Sequence, residues 1–405
     1  MMKTKILLFF TLLGAYSFAQ NAYCDGSRYA NTLFLPDTTL DVTFGNSTSF
    51  GGNNADLKMD IFQPAGDVAT ERPLIILAFG GSFIGGEKED MHDLCVYYAS
   101  KGYVAATIDY RLYDGPFFPL PDSIDMTDVV IKAVFDMKAA IRFFREDAAT
   151  TDLYKIDTNY IFAGGISAGA IVASHVGMLQ ESNTIQPYIQ TIIDDNGGWT
   201  GNSSTNTQYG DEVAGILNYS GALKTASYID ANDPPVFSVH DDQDGVVPYG
   251  SGSASIFNVP IITMEGSSLI HSNAQAAGLN SELITIPNSD GHVSYFQTTA
   301  GTDSVLTRSI EFLCPIICGT LGMEENSLED FDVYPNPTKD MVTIELPNAN
   351  RFLINVLDIS GRTILTESSN SMTHNIQVGN LVNGSYFVEV VSDGKILGRK
   401  QIVKL

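Results

Sequence analysis

The stretch Tyr160-Ile-Phe-Ala-Gly-Gly-Ile-Ser-Ala-Gly-Ala170 reads as a short apolar strand, a tight turn and the start of a helix. Inside it, Gly165-Ile166-Ser167-Ala168-Gly169 fits the pattern G-x-S-x-G. A serine at the apex of a sharp strand-to-helix turn has a strained backbone and a presented hydroxyl, and small neighbours let strand and helix approach closely. The following helix turns its free N–H groups and the positive end of its dipole toward the serine, which favours an anion there. Five residues of this kind recur by chance in glycine-rich chains. What gives these weight is their place between the apolar residues 160–163 and the apolar run 168–179.

Upstream, residues 73–79 (Pro-Leu-Ile-Ile-Leu-Ala-Phe) form an unbroken apolar run, as expected of a strand buried on both faces. Gly80-Gly81-Ser82-Phe83-Ile84-Gly85-Gly86 follows directly. Such a loop can turn backbone N–H groups toward a ligand, and without a Gly-Lys-Ser/Thr ending it is no phosphate loop. Strands are expected at 40–44, 57–62, 103–109, 214–220, 235–240 and 283–287, and helices at 87–101, 128–148, 265–277 and around 306–313. From 73 to 313 the two types alternate, which builds a mainly parallel sheet with helices on both faces. Sites in such sheets form at the carboxyl ends of strands. The glycine loop, Ser167, the polar loop Asp241-Asp-Gln-Asp244 and His292 each follow a strand.

A serine hydroxyl needs a base within hydrogen-bond reach and a third group to orient that base. His175 lies two turns along the helix after Ser167, His240 ends a buried strand, and His92, His271 and His374 sit elsewhere. His292 alone occupies a polar loop after a strand, and it is the expected base. Asp244, in a loop closed by Gly245 and Pro248, is the expected orienter, with Asp241 and Asp242 as competitors whose ordinary role is turn capping. The oxyanion donors expected are the N–H of Ala168 and that of Gly81 or Ser82. Phe83, the aromatic loop with Phe117 and Phe118, and Trp199 are candidate pocket walls. Residues 180–212 are too long and polar for a plain connection and read as an insertion or lid.

Residues 40–313 resemble the α/β-hydrolase superfamily, and within it the carboxylesterase/lipase branch. The H-G-G-G-type oxyanion loop of that branch reads Phe79-Gly80-Gly81-Ser82 here, with Phe79 in place of the histidine and Ser82 in place of the third glycine. Asp109-Tyr-Arg-Leu112 matches its strand-end signature, and Ser167, Asp244 and His292 follow the chain order of its triad. The resemblance implies serine ester hydrolysis through an acyl-enzyme, with an ester substrate, no metal and no organic cofactor. A peptidase or amidase on the same fold and a surface-displayed binding module without catalysis are the competing readings.

After an acidic linker at 319–330 the pattern changes to short alternating strands with turns at Asn383-Gly384 and Asp393-Gly394, a small all-β sandwich over 331–405. Val333-Tyr-Pro-Asn-Pro-Thr338, Asp358-Ile-Ser-Gly-Arg362 and Asn383-Gly-Ser-Tyr-Phe387 make this tail resemble a type IX secretion C-terminal sorting domain. That implies the type IX machinery as a partner and export to the outer surface or medium. At the other end, Lys3 and Lys5, an apolar run at 6–13 and Ser17-Phe18-Ala19 read as a signal peptide over 1–19, leaving 20–318 as the catalytic domain. Gln20, not Cys, follows, so no lipid anchor is expected. Nor is any run long enough to span a bilayer.

The net charge of −25 disfavours nucleic acid and anionic surfaces as partners. Cys24, Cys95, Cys314 and Cys318 suit disulfides in an exported chain. Three pairings are open, of which Cys314–Cys318 with Cys24–Cys95 is preferred.

Overall fold

The computed structural model describes Cys24 and residues 27–319, 331–346, 352–358, 363–392 and 395–405. The expected signal peptide, most of the acidic linker, residues 359–362 of the Asp358–Arg362 motif and the expected turn at Asp393-Gly394 lie outside these residues. The chain divides into two units between Gly319 and Thr320.

In the first unit β1 (Pro36–Thr48) and β2 (Asn54–Pro64) pair antiparallel, longer than the apolar runs inside them because the polar flanks also pair, Asn46 with Asp56 and Thr48 with Asn54. Next come β3 (Arg72–Ala78), α1 (His92–Ala99), β4 (Val104–Ile108), α2 (Ser123–Ala149), β5 (Ile156–Ile166), α3 (Ala168–Met178) and α4 (Pro187–Asp195). The rest is β6 (Gly215–Tyr219), β7 (Ala222–Leu223), β8 (Val236–Asp241), β9 (Ser251–Ile256), β10 (Val259–Gly266), α5 (Ser267–Ala276), β11 (Ser281–Ile286) and α6 (Thr299–Cys318). An eight-stranded sheet runs in the order β1-β2-β4-β3-β5-β6-β8-β11, parallel from β4 onward. Every residue of β3 and β4 is buried, as their apolar runs require. β4 lies on one side of β3 and β5 on the other, so the chain order reverses at β3, where a parallel sheet opens a crevice.

Two expectations change. First, 251–264 had no assigned element and 265–266 were expected to open a helix, yet 251–266 forms the β9–β10 hairpin, turning at Phe257 and Asn258, both with positive φ, and joined by β7. Ser-Gly-Ser-Ala-Ser of β9 carries little β-propensity, whereas Val259, Ile261, Ile262 and Thr263 of β10 are β-branched and were the signal that could have found it. Second, Cys24 bonds Cys318, while Cys95 and Cys314 are free. Helix α6 runs through Cys318, so no turn closes a Cys314–Cys318 loop. The 180–212 segment, read as an insertion or lid, packs on the unit: α4 buries Ile189, Ile192 and Ile193, and the Ser203 hydroxyl donates to Asp136 Oδ1 at 2.6 Å.

That last contact belongs to a buried junction. Arg111, just past β4, pairs with Asp136 of α2 at 2.8 Å, their side chains 1% and 0% exposed. Its remaining N–H groups reach Ser47 Oγ, the Thr48 and Lys132 carbonyls and Ser203 Oγ. One guanidinium thus ties β1, α2 and the 203 loop together, with its donors satisfied.

The second unit is all β: β12 (Asp332–Tyr334), β13 (Met341–Glu345), β14 (Phe352–Leu357), β15 (Thr363–Ser369), β16 (Thr373–Gln377), β17 (Gly384–Ser392) and β18 (Lys395–Lys404). Sheets β12-β13-β16 and β15-β14-β17-β18 bury one shared core, with Val342, Ile344 and Ile376 from one and Ile354, Val356, Val388 and Val390 from the other. Alternate residues point inward, as a sandwich demands.

Removing one partner of the buried pair strands a charge. Asp136→Ala is expected to lower unfolding free energy by about 3–5 kcal/mol. Glu311→Ala, which breaks the half-exposed Arg308–Glu311 pair on α6, should cost no more than about 1 kcal/mol. Urea denaturation of the two variants side by side checks this.

Candidate active site

Ser167 stands between the end of β5 and the first residue of α3, with φ 55° and ψ −115°. A side chain in that conformation is strained, and the flanking geometry enforces it. A Cβ on Gly169 would lie 2.0 Å from the Ala78 carbonyl oxygen, and one on Gly165 would lie 2.3 Å from the Gly169 carbonyl carbon. Backbone therefore packs directly on backbone, and the turn is locked further by Ser167 N–H donating to the Tyr219 carbonyl at 2.8 Å.

The structure brings Ser167, His292 and Asp244 together. The Ser167 hydroxyl donates to His292 Nε2 at 2.7 Å, and His292 Nδ1–H donates to Asp244 Oδ2 at 2.6 Å. A carboxylate only accepts, which places the imidazole proton on Nδ1 and leaves Nε2 as the acceptor for serine. Asp244 Oδ1 accepts from the N–H groups of Val246 and Val247 at 2.8 and 3.1 Å. Burial pushes the Asp244 carboxyl up, but hydrogen bonds from His240 and His292, the charge of His292 and the Val246 amide outweigh it and hold the group well below the usual carboxylate range.

Asp241 and Asp242 hold the loop that carries His292. Asp241 accepts from Ser294 N–H at 3.1 Å and from its hydroxyl, and Asp242 accepts from Ser289 N–H at 3.1 Å. Tyr295 adds a hydrogen bond to Ser220. A buried polar row beneath Asp244 had no signal in the sequence beyond a histidine at a strand end. Asn218 Nδ2 donates to Ser267 Oγ at 3.1 Å, the Ser267 hydroxyl to His240 Nδ1 at 2.7 Å, and His240 Nε2–H to the Val247 carbonyl at 3.1 Å, with Asp244 Oδ2 at 3.4 Å. Asn218, Ser267 and His240 are all 0% exposed.

Across from His292 lies the loop after β3. Among the described residues, the N–H groups of Gly81, Ser82 and Ala168 donate to no backbone carbonyl. Gly81, Ser82 and Phe83 all have positive φ. The segment after β4 braces this loop: Tyr110 stacks on Phe79 at 4.3 Å and donates to its carbonyl at 2.8 Å, and Tyr113 N–H donates to the Phe83 carbonyl at 2.7 Å. Phe79, standing where the resembled motif has histidine, is a packing residue here.

An apolar pocket opens beside Ser167, lined by Ser82, Phe83 and Ala168 among others. Phe117, Phe118 and Trp199 do not line it. Phe117 packs edge-on against Tyr113, Phe118 is 94% exposed, and Trp199 packs against the core from the 198–200 turn. The hairpin β9–β10 supplies the wall instead. His92 bonds Asp60, His271 bonds Ser281 and His374 bonds Glu367, all away from Ser167. His175 is buried, its Nδ1–H donating to the Ile171 carbonyl and its Nε2 accepting from Lys224 N–H. No group of His, Cys, Asp and Glu among the described residues is arranged to hold a metal ion.

Residues 59–222 match the family model described as BD-FAE, and residues 332–404 match the secretion system C-terminal sorting domain. Among solved structures, the apo form of Thermogutta terrifontis esterase 2 is 20% identical with a TM-score of 0.50, covering 68% of this chain and 94% of that one. The native form of the same esterase gives 20% and 0.50, covering 73% and 98%. At this identity the likeness is one of fold. Ulvan lyase NLR42 of Nonlabens ulvanivorans is 26% identical over 186 residues, which span 40% of this chain and about a third (35%) of that relative.

Glycine relieves the strain at the serine position, whereas alanine keeps it. Ser167→Gly is therefore expected to be more stable than Ser167→Ala by about 1 kcal/mol, the net of roughly 1–3 kcal/mol of strain and the entropy cost of glycine; thermal unfolding of the two variants decides. A second expectation concerns His175, whose pKa burial lowers from 6.5 to about 4, against the Ile171 bond and with the charge of Lys224. The unfolded chain takes up this proton first, so stability falls as pH drops from about 6.5 to about 4, by up to roughly 3 kcal/mol. His175→Gln should flatten that part of a urea-midpoint against pH curve.

Proposed function

We propose that this α/β-hydrolase with a C-terminal secretion sorting domain is an exported serine carboxylic ester hydrolase. The observation that carries the proposal is the unbroken hydrogen-bond row from Ser167 through His292 to Asp244, facing amides that have no backbone acceptor. Ser167 Oγ attacks the ester carbonyl as His292 Nε2 takes its proton. The Asp244 carboxylate holds the imidazole in its Nδ1–H tautomer and stabilises the imidazolium. The N–H of Ala168 and that of Ser82 or Gly81 receive the oxyanion, each such donor being worth roughly 3 kcal/mol in the transition state. His292 passes its proton to the leaving alkoxide, and the alcohol departs. Water then enters, gives a proton to His292 and attacks the acyl-enzyme. Collapse releases the acid as the proton returns to Ser167. No step calls for a metal or an organic cofactor.

Several features support the reading. The strained serine, the hydrogen-bonded imidazole and the amides without backbone acceptors are in place with no substrate present, which is what electrostatic stabilisation of a transition state requires. The BD-FAE match covers the oxyanion loop and Ser167. Fold neighbours named as esterases add support for ester chemistry. An acidic, exported enzyme suits a neutral ester met outside the cell, and the sorting domain supplies its route through the type IX machinery.

Hydrolysis of p-nitrophenyl esters from acetate to palmitate tests this. Ser167→Ala is expected to abolish turnover while remaining folded. Asp244→Asn, which favours the wrong tautomer, should lower kcat by about 10⁴ with little change in fold. A folded wild-type protein that turns over no ester would sink the proposal.

A further inference from the structure

We propose that the cavity beside Ser167 is the acyl pocket, and that Met264, with Ile262 and Val130, forms the partition that sets the longest acyl chain accepted. This rests on the ester hydrolase reading of the same site. It names the substrate class as esters of short to medium, uncharged, apolar acids.

The lining decides the chemistry. Phe83, Met126, Ile171, Ile256, Ile262 and Met264 are among the apolar residues of the wall, and the side chains that line the pocket include no ionisable group. Ser82, Ser167 and Ser255 are the polar side chains there. A charged or hydroxyl-rich group would lose its water in this cavity without compensation. An alkyl group would replace cavity water at a gain.

Position decides which half of the ester enters. Proton transfer requires the leaving oxygen to face His292 Nε2, so the alcohol lies on the His292 side. The pocket is walled by Ser82, Ala168 and Ser167 and, on another side, by Val246 and Val247 of the Asp244 loop, whereas His292 is not among its lining residues. The wall thus leaves the base facing outside the pocket, which assigns the pocket to the acyl group.

A second pocket adjoins it, reaching Leu179, Ile189 and Tyr228, with His175 and Lys224 also in its wall. Val130, Ile262 and Met264 line both cavities. The arrangement follows from secondary structure. Ile262 and Met264 are two apart on β10 and share a face, and Val130 stands one turn beyond Met126 on α2. Met264 is 3% exposed, an unbranched side chain between two apolar spaces. Shortening it joins them.

The test is the profile of kcat/KM over p-nitrophenyl acetate, hexanoate and dodecanoate for wild type, Met264→Ala and Val130→Ala. Val130 is half-buried on a helix, where alanine is well tolerated, so it keeps the test alive if Met264→Ala does not fold. Wild type is expected to favour hexanoate over dodecanoate. Each variant should raise the dodecanoate-to-hexanoate ratio by about tenfold or more, the usual scale for methylene-sized changes in an apolar pocket. Equal wild-type rates on hexanoate and dodecanoate, or variants that change all esters alike, would overturn the partition. A parallel series of n-alkyl acetates, ethyl to dodecyl, should leave the variants' relative rates unchanged. If the chain-length shift appears there instead, the pocket holds the alcohol and the assignment is wrong. Absence of turnover on every ester, acetate included, by folded wild type marks failure of the ester hydrolase reading itself.

Discussion

The site depends on a place where two backbones touch with no side chain between them. At Gly169 and Gly165 a single added carbon would fall 2.0 and 2.3 Å from backbone atoms. That contact drives the first turn of α3 against the end of β3. The chain has no room to leave β5 gently, so Ser167 takes a left-handed φ that serine does not choose by itself. Its hydroxyl is then presented to His292, and the helix N-terminus points at the same space. The strain is local and held in place by the large buried core around it.

Everything else at the site is a matter of fixing loops. Each strand end delivers a loop, and each loop is tied by buried polar groups to a neighbour. Tyr110 holds the Phe79 carbonyl, Asp241 holds Ser294, and the Asn218–Ser267–His240 row reaches the underside of Asp244. Buried polar rows of this kind are costly unless every member is satisfied, and here their bonds converge on catalytic geometry. Arg111 extends the same logic outward, fastening the 203 loop to α2 and β1. These ties do before binding the ordering that a flexible site would have to do during it.

Much of this was legible in residue order. The run at 73–79 suited a strand buried on both faces, since seven apolar residues without a break have no exposed face and are too few for a typical helix. His292 stood out because it was the histidine in a polar loop after a strand. The tail's strands were legible from period-two alternation and Asn-Gly turns. Other parts were faint or silent. Strand β9 is written in serine, glycine and alanine, whose preference for a strand is weak, whereas Val259, Ile261, Ile262 and Thr263 of β10 are β-branched and carried a strand signal that Pro260 interrupts. Trp199 and Phe118 looked like pocket walls because aromatics are expensive to expose, yet one packs on the core and the other simply faces out. Four cysteines allow three pairings, and composition carries no distance between them.

Sequence alone therefore determined what depends on neighbours along the chain: the elbow, the alternation of strands and helices, the order Ser167, Asp244, His292, and the two-part organisation with a sorting domain. Tertiary structure alone decided what depends on neighbours through space. It set the Cys24–Cys318 bond, the hairpin that walls the cavity, the polar row under Asp244 and the partition at Met264. The reason is physical. Periodicity and turn chemistry act over a few residues and leave a mark in the sequence. Packing joins side chains more than a hundred residues apart, and its outcome depends on shapes that exist only once the sheet has formed.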